Sequence, residues 1–503
     1  MSRSKLTLWN VLSGLIYKIA TFGFAVVLPR IMIVNLGSEM NGFISSITSM
    51  FVYINLLEAG VGGASSYSLY SSIVAKDLDR TNGIMAATDR YYRKIGVYFL
   101  GCISVLAFIY PIIVKSNLSY ITICTVVILT AAPYLFNYFI QGKYTILLSA
   151  DNRGYVLTNI NTIISILSNI VKIFLLIKGY NIIIVQMAFA LVSSFQALLI
   201  FLYIKKKYTW LDLSVKPNYY SIRHRNSVLV HQISGVIFSN SGILLLMLFS
   251  DLKTVSVYTV YMMIFSQAST IPQFISVGVN ASFGQIYNED IVRFKSLFNS
   301  FEIFFMQFVY ASFATAYTLT IPFIRLYTSG ITDINYVDIG LPLLFAISQI
   351  LINLEVPYAI LIRISGHFKQ TQIYAILEAV INVVVSLLLI FNLGIYGVLL
   401  GMIVSVIYRC IVTIRYCNKF ILARTFILNA IDGIISILLC AGIIAAFNEQ
   451  IKSIATYSQL FIWALILLTV NISALFLKTM LTRKKDTQVL WSYISKLTGF
   501  KRA

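Results

Sequence analysis

The sequence predicts an all-α polytopic membrane protein, and three observations carry that reading. Of its 503 residues, 59% are hydrophobic and only 11% charged, against roughly 25% charged in an average soluble chain. Mean hydropathy is +0.85, which removes the three soluble domains that length alone suggests at about 150 residues each. Apolar stretches long enough for a bilayer core of about 30 Å, which takes about 20 residues of helix, recur along the whole chain. Arg3 and Lys5 precede the first of them. That run outlasts the short apolar region of a signal peptide, so it reads as a retained first helix. The five cysteines, Cys102, Cys124, Cys410, Cys417 and Cys440, lie in or beside apolar stretches without a CxxC pair. They indicate neither a disulfide framework nor a zinc site.

Fourteen stretches qualify as spans. Six run from Trp9 to Val34, Gly42 to Gly62, Tyr92 to Val114, Leu118 to Ile140, Gly154 to Ile177 and Tyr180 to Ile204. Six more run from Ser227 to Ser250, Val255 to Asn280, Phe301 to Leu326, Val337 to Ile362, Gln370 to Phe391 and Ile395 to Tyr416. A final pair runs from Thr425 to Phe447 and Tyr457 to Leu477. Pro133 in the fourth and Pro272 in the eighth predict kinks, because proline removes a helix hydrogen bond.

Charge sets the orientation. Of the 38 lysines and arginines, thirty fall on the side of the N-terminus, four on the other side and four inside helices. The positive-inside rule then places both termini in the cytoplasm. The net charge of +20 is a topology signal that also suits an anionic inner leaflet, which removes the case for nucleic acid. The outer connections are too short to hold a domain. The longer inner segments, Gly63 to Tyr91 and Lys205 to Asn226, are too small for a catalytic one. Any site must lie among the helices.

A weak repeat is visible. Ser13-Gly14-Leu15-Ile16-Tyr17 in helix one matches Ser234-Gly235-Val236-Ile237-Phe238 in helix seven, and the turn at Gly179 matches the turn at Gly394. Parallel repeats of this kind build transporters. The expected organisation is a six-helix lobe over 1–204, a cytoplasmic linker over 205–226 and a second six-helix lobe over 227–417. An added helix pair over 418–480 and a basic cytoplasmic tail over 481–503 complete it.

Signatures of soluble chemistry are missing from the sequence. No GxxxxGK[ST] cradles phosphates, and His224, His231 and His367 have no zinc-ligand spacing. Asp77-Leu78-Asp79 has the form that holds a metal-bound sugar nucleotide. Set in Lys76-Asp77-Leu78-Asp79-Arg80, however, it reads as a solvated mixed-charge loop. The chain reads as a transporter rather than an enzyme, with no cofactor and no metal.

The information lies in polar groups within the spans, where a charge costs at least about 2.5–3.5 kcal/mol unless it faces a cavity or a partner. Four cations qualify: Lys18, Arg30, Lys172 and Arg325. Arg30 and Arg325 stand near outer helix ends, where snorkelling competes with a site role. Lys172 ends a stripe of Thr158, Thr162, Ser165 and Asn169, on one helix face by its spacing; helix–helix hydrogen bonding is the competing reading. Helix eleven carries Gln370, Tyr374, Glu378, Asn382 and Ser386, and helix ten adds Gln349, Asn353 and Glu355. Glu58 and Asp432 complete the interior acids. Glu302, at a cytoplasmic helix start, is read as stabilised by the helix dipole. A cation-bearing first half and an acid-bearing second half suit an anionic substrate moved with or against a cation. Lys18 and Glu58 fall at similar depth on either side of the first turn, which makes them a candidate pair.

At Arg30-x6-Gly37-x3-Asn41-Gly42, Glu58-Ala59-Gly60-Val61-Gly62 and Tyr92-Arg93-Lys94-Ile95-Gly96, the chain resembles a bacterial polysaccharide repeat-unit flippase. The resemblance is to the Wzx-like branch of the multidrug/oligosaccharidyl-lipid/polysaccharide (MOP) exporter superfamily. Gly366-His367-Phe368-Lys369-Gln370-Thr371, Glu378-x3-Asn382, Gly394-x2-Gly397 and Tyr408-Arg409 extend it over nearly the whole chain. The resemblance implies two six-helix lobes around a central cavity opening alternately to each side. The implied substrate is an undecaprenyl-pyrophosphate-linked oligosaccharide moved from the inner to the outer leaflet. Cations of the first lobe, here Lys18 and Arg30, would meet the pyrophosphate; Lys172 and Asn169 join them from the stripe. Glu58, Glu378 and Glu355 are the candidates for coupling to H+ or Na+. The second lobe lacks a deep cation on this reading, since Ser239 aligns with Lys18. Membrane lipids and polysaccharide polymerase or export machinery are the expected partners. The alternatives are a multidrug or organic-cation exporter of the same superfamily, a polysaccharide polymerase or ligase, and a lipid-binding scaffold.

Overall fold

The computed structural model describes residues 3–58, 61–222 and 226–498. Ala59 and Gly60 of the second motif, His224 and the end of the basic tail lie outside the described residues. Among those described the chain is entirely helical, without a strand. The first helices are α1 (Arg3–Leu36), α2 (Ser38–Ile54), α3 (Val61–Val74), α4 (Leu78–Ile113), α5 (Tyr120–Phe136), α6 (Gly142–Ala150), α7 (Gly154–Ile177) and α8 (Ile182–Lys207). Then come α9 (Asn226–Phe249), α10 (Leu252–Ala268), α11 (Thr270–Glu289), α12 (Ile291–Tyr327), α13 (Leu341–Ser365), α14 (Phe368–Leu393) and α15 (Ile395–Cys417). The last are α16 (Ile427–Ala446), α17 (Asn448–Lys452), α18 (Tyr457–Thr482) and α19 (Lys484–Thr498). Thirteen spans long and apolar enough to cross a membrane occur among the described residues.

The span that drops out is the eighth. Val255 to Asn280 is not one helix: α10 stops at Ala268 and α11 starts at Thr270. Pro272 is the third residue of α11, where its missing N–H would have no intrahelical partner in any case. The chain therefore begins a new helix instead of bending one. Ser269 at the break donates its hydroxyl to the Phe265 carbonyl (3.1 Å) and to Gln349 Oε1 (3.2 Å). The second span also breaks: α2 runs into a 3-10 turn over Asn55–Glu58, and α3 follows. Around Pro133 the predicted irregularity takes the form of a π-turn over Asn137–Gln141 between α5 and α6, a common cause of helix kinks.

The inner segments are more structured than loops. Asp77 is the N-cap of α4 and accepts from the Arg80 amide at 2.9 Å, which gives the first acid of the Asp-Leu-Asp pattern a capping role. The chain after α8 folds back on the start of α4, with the Asn218 amide donating to the Gly83 carbonyl (2.9 Å) and Asn82 Nδ2 donating to the Trp210 carbonyl (3.3 Å). Gly179 and Gly394 join α7 to α8 and α14 to α15 with positive φ of 77° and 52°, which glycine alone adopts without steric cost.

Two compact units result, Met1–Val257 and Tyr258–Ala503. Phe51, Phe99, Tyr134 and Tyr138 fill the first, with ring centroids 5.2 to 6.2 Å apart. In the second, Tyr261, Phe265 and Phe345 stack at 5.5 and 5.9 Å. Close approach of α14 and α15 depends on Gly397 and Gly401: a Cβ at Gly401 would stand 2.1 Å from Ser386 Oγ. Small residues spaced four apart let helix backbones approach in membranes, where packing replaces the hydrophobic effect.

Candidate functional site

In the first unit, the residues expected to bind substrate are spread over two helices. Lys18 lies on α1, exposed, and its ammonium makes no ion pair or hydrogen bond with a described residue. Arg30 lies twelve residues further along α1, half-buried and engaged, about 18 Å away along the axis. Lys172 on α7 is taken up by α8: its ammonium stands 3.5 Å from the centroid of the Phe189 ring. That contact is a cation–π interaction. The stripe before it bonds mainly along its own helix: Thr162 donates to the Thr158 carbonyl (2.8 Å) and Asn169 to the Ser165 carbonyl (2.8 Å). Its polar groups are therefore satisfied without a second helix, a solution the competing helix–helix reading did not include.

Glu58 ends the 3-10 turn after α2 and accepts a hydrogen bond from the Tyr92 hydroxyl on α4. Tyr138 donates to Asn55 Oδ1 at 2.6 Å in the same cluster. Glu58 and Lys18 make no ion pair here; the helix break turns the carboxylate to Tyr92. Asp89, also on α4, is buried between Lys143 and Arg93, the latter at 3.0 Å.

The second unit corrects the sequence reading most. A deep cation is present there: Arg409 on α15 is 6% exposed. It donates to Glu355 on α13 at 2.7 Å and stands 3.9 Å from Glu378 on α14. Counting Arg409 with the inner connection hid it, although Tyr408-Arg409 lies within the bounds of helix twelve. A guanidinium well short of the helix end was the available signal. Two carboxylates share this one cation, and its Nη1 is buried without a hydrogen bond among the described residues.

Glu302 is likewise not a helix-start residue. α12 begins at Ile291, so Glu302 is buried well inside it, and dipole stabilisation does not reach that far. Arg424 and Tyr358 donate to its carboxylate instead, with Asn429 at 3.0 Å. Asp432 on α16 pairs with Lys478 of α18 at 2.7 Å and accepts from Gln307 of α12 at 3.2 Å, which fastens the last helix pair to α12.

A pattern emerges that sequence reasoning missed. Glu58, Asp89, Glu302, Glu355, Glu378 and Asp432, the carboxylates deep within the described spans, each face a hydroxyl or a cation, supplied by Tyr92, Lys143, Arg409, Arg424 or Lys478. Lys18 has no such partner among the described residues. No group of side chains suited to a metal ion occurs among the described residues either.

Comparison with protein-family models gives no match, and comparison with curated protein sequences gives none either. Solved structures do match. A structure of the lipid II flippase MurJ in an inward closed conformation aligns at a TM-score of 0.64 and 15% identity, covering 95% of this chain and 99% of its own. An inward-facing multidrug resistance MATE family transporter of the MOP superfamily aligns at 0.62 and 15% identity, covering 80% and 94%. An outward-facing multidrug resistance MATE family transporter of the same superfamily aligns at 0.53 and 14% identity, covering 84% and 98%. The chain therefore has the polytopic helical fold of the MurJ and MATE transporters.

Proposed function

We propose that this chain is an alternating-access transporter that carries an undecaprenyl-pyrophosphate-linked oligosaccharide from the inner to the outer leaflet of a bacterial cytoplasmic membrane. The observation that carries the substrate class is the charge imbalance: the acids deep within the spans are engaged, while Lys18 lies exposed and has no ion-pair partner among the described residues. An unpaired ammonium in a span is costly unless it meets an anion, and a pyrophosphate headgroup supplies one. Lys18 receives it on α1, and Arg30 stands further along the same helix, with Asn169 and Lys172 as further candidates on α7. Glu58, Glu355 and Glu378 are the candidate coupling residues. Around Arg409 two carboxylates face one guanidinium, so a proton or Na+ would balance the cluster. Both termini lie in the cytoplasm on this reading, as the charge distribution favours. Six-helix lobes over 1–204 and 227–417, a linker over 205–226 and an added helix pair over 418–480 are part of this proposal. A polysaccharide polymerase or export assembly would take the product.

A second reading has its own support. Multidrug transporters solved in inward-facing and outward-facing conformations match the chain, so likeness of fold by itself backs an exporter of organic cations. The lipid-linked reading rests on the charges, because an organic cation calls for an available carboxylate. The deciding experiment is a deletion strain assayed for lipid-linked oligosaccharide by leaflet. Accumulation on the inner leaflet is the expected outcome. Normal outer-leaflet exposure with lost drug resistance would favour the exporter.

A further inference from the structure

The last helix is joined to the core by one acid. Asp486 of α19 accepts from Asn299 Nδ2 at 2.6 Å and from Ser300 Oγ at 3.4 Å, both on α12. Val489, Leu490 and Tyr493 are half-buried on the same side of α19, as their spacing requires. Asn299 stands 28 residues before Tyr327, the far end of α12, hence about 42 Å along the helix. A bilayer measures about 30 Å across its hydrocarbon and about 40–45 Å with its headgroups. Asp486 therefore docks α19 at headgroup depth.

The opposite face of α19 has no partner among the described residues to account for its composition. Lys484, Gln488 and Trp491 follow at helical spacing, all exposed, with Trp491 at 61%. An indole on a basic, polar face is no core position, but the headgroup layer is where tryptophan is enriched. The apolar surface just before it, Leu477 at 60% and Leu481 at 73% exposed, continues down α18 to the same level. From Lys484 onward the chain holds five lysines and arginines and one acid, Asp486, which α12 already occupies.

We propose that α19 binds anionic phospholipid headgroups of the leaflet it faces and seats Trp491 among them. The lysines supply electrostatic attraction to such a surface, and Trp491 supplies the interfacial anchor. The inner leaflet is the relevant one if the termini are cytoplasmic as proposed above. The test does not depend on that orientation or on any substrate, because both leaflets of a vesicle can be given the same composition. The full chain with Trp9→Phe, Trp210→Phe and Trp463→Phe retains Trp491 as its sole indole. It is reconstituted in phosphatidylcholine vesicles with and without phosphatidylglycerol, each containing lipid brominated near the headgroup. Quenching of Trp491 is expected to be several-fold stronger with phosphatidylglycerol and to fall at high salt, which screens the charges. Lys484→Glu with Lys485→Glu should abolish the difference. Equal quenching in both lipids overturns the anionic preference. Access of aqueous iodide to Trp491 in both overturns the membrane seat and leaves a protein partner for this face. If the triple variant unfolds, the same comparison is made as the difference between the natural chain and Trp491→Phe.

Discussion

Arg409→Met isolates the charge cluster of the second unit. At an effective dielectric near 20, the 2.7 Å contact with Glu355 and the 3.9 Å approach to Glu378 correspond to about 6 and about 4 kcal/mol of gross attraction. Desolvation of the three ions offsets several kcal/mol each, so the net gain from the intact cluster is small. Removing the cation alone is another matter: two carboxylates then remain side by side, on side chains 17% and 11% exposed, and a broken buried pair costs about 3–5 kcal/mol. Methionine keeps most of the volume, so the loss is electrostatic. The assay is SDS-titrated unfolding of purified protein in mixed micelles, with thiol labelling of the buried neighbours Cys410 and Cys417 as a local probe. Arg409→Met should lose about 3–5 kcal/mol and label faster. Adding Glu355→Gln and Glu378→Gln should restore most of the loss, because the stranded charge is gone. A single variant within about 0.5 kcal/mol of the natural chain, the range of ordinary surface changes, refutes the reasoning. A triple variant no better than the single one refutes it as well.

Other predictions follow from the same contacts. Gly401→Val should force α14 and α15 apart, at about 1–3 kcal/mol or more for overpacking, and lower the yield of folded protein; normal yield would show that the helices yield without cost. Lys18→Ala should reduce transport at least tenfold and leave unfolding unchanged, since its ammonium has no partner to lose among the described residues; full transport would remove it from the site. Lys172→Ala should cost about 0.5–2 kcal/mol from the lost contact with Phe189, read by the same SDS titration, and should impair export more than Arg325→Ala. Tyr92→Phe leaves Glu58 without its hydroxyl donor and should cost about 1–3 kcal/mol; an unchanged midpoint would mean that water replaces it.

Helix class and spans were legible because twenty apolar residues in a row have few other uses. Fine structure was legible only where a residue type forces it. Pro133 and Pro272 marked the irregular helices, but whether a proline kinks a helix or starts a new one depends on its distance from the break, and sequence does not show the break. Charged side chains were the least legible. Counting lysines and arginines by loop proposes an orientation, yet it assigns Lys143, Arg409, Arg424 and Lys478 to the cytoplasmic side, whereas each points its charge at a buried acid. A long side chain near a helix end can face water or protein. Tertiary packing decides which. Glu302 was misread for another reason: α12 starts at Ile291, ahead of the apolar run that begins at Phe301.

The two halves of the chain separate scaffold from chemistry. α4 and α12 are 36 and 37 residues long. Each is capped by an aspartate, Asp77 or Asp290, and each carries a buried acid eleven residues after its first, Asp89 or Glu302. Each acid is held by a side chain from a later element, Lys143 or Arg424. Gly179 and Gly394 make corresponding turns with positive φ, and the corresponding second and eighth spans are both interrupted. Features that recur in both halves fit the proposed repeat of one helical plan, and their ion pairs are explained by the burial they offset. Lys18 does not recur, for Ser239 occupies the matching place. Nor is there a counterpart in the first half to the two carboxylates sharing Arg409 among the ion pairs of the described residues. Scaffold chemistry has no reason to differ between copies, whereas an amphipathic substrate with one charged end and a coupling ion of opposite sign needs an unlike pair of sites. Ser239→Lys therefore tests the asymmetry itself: a second cation in the matching place should slow turnover by holding the anionic headgroup of the proposed substrate, and an unchanged transport rate would return Lys18 to the scaffold.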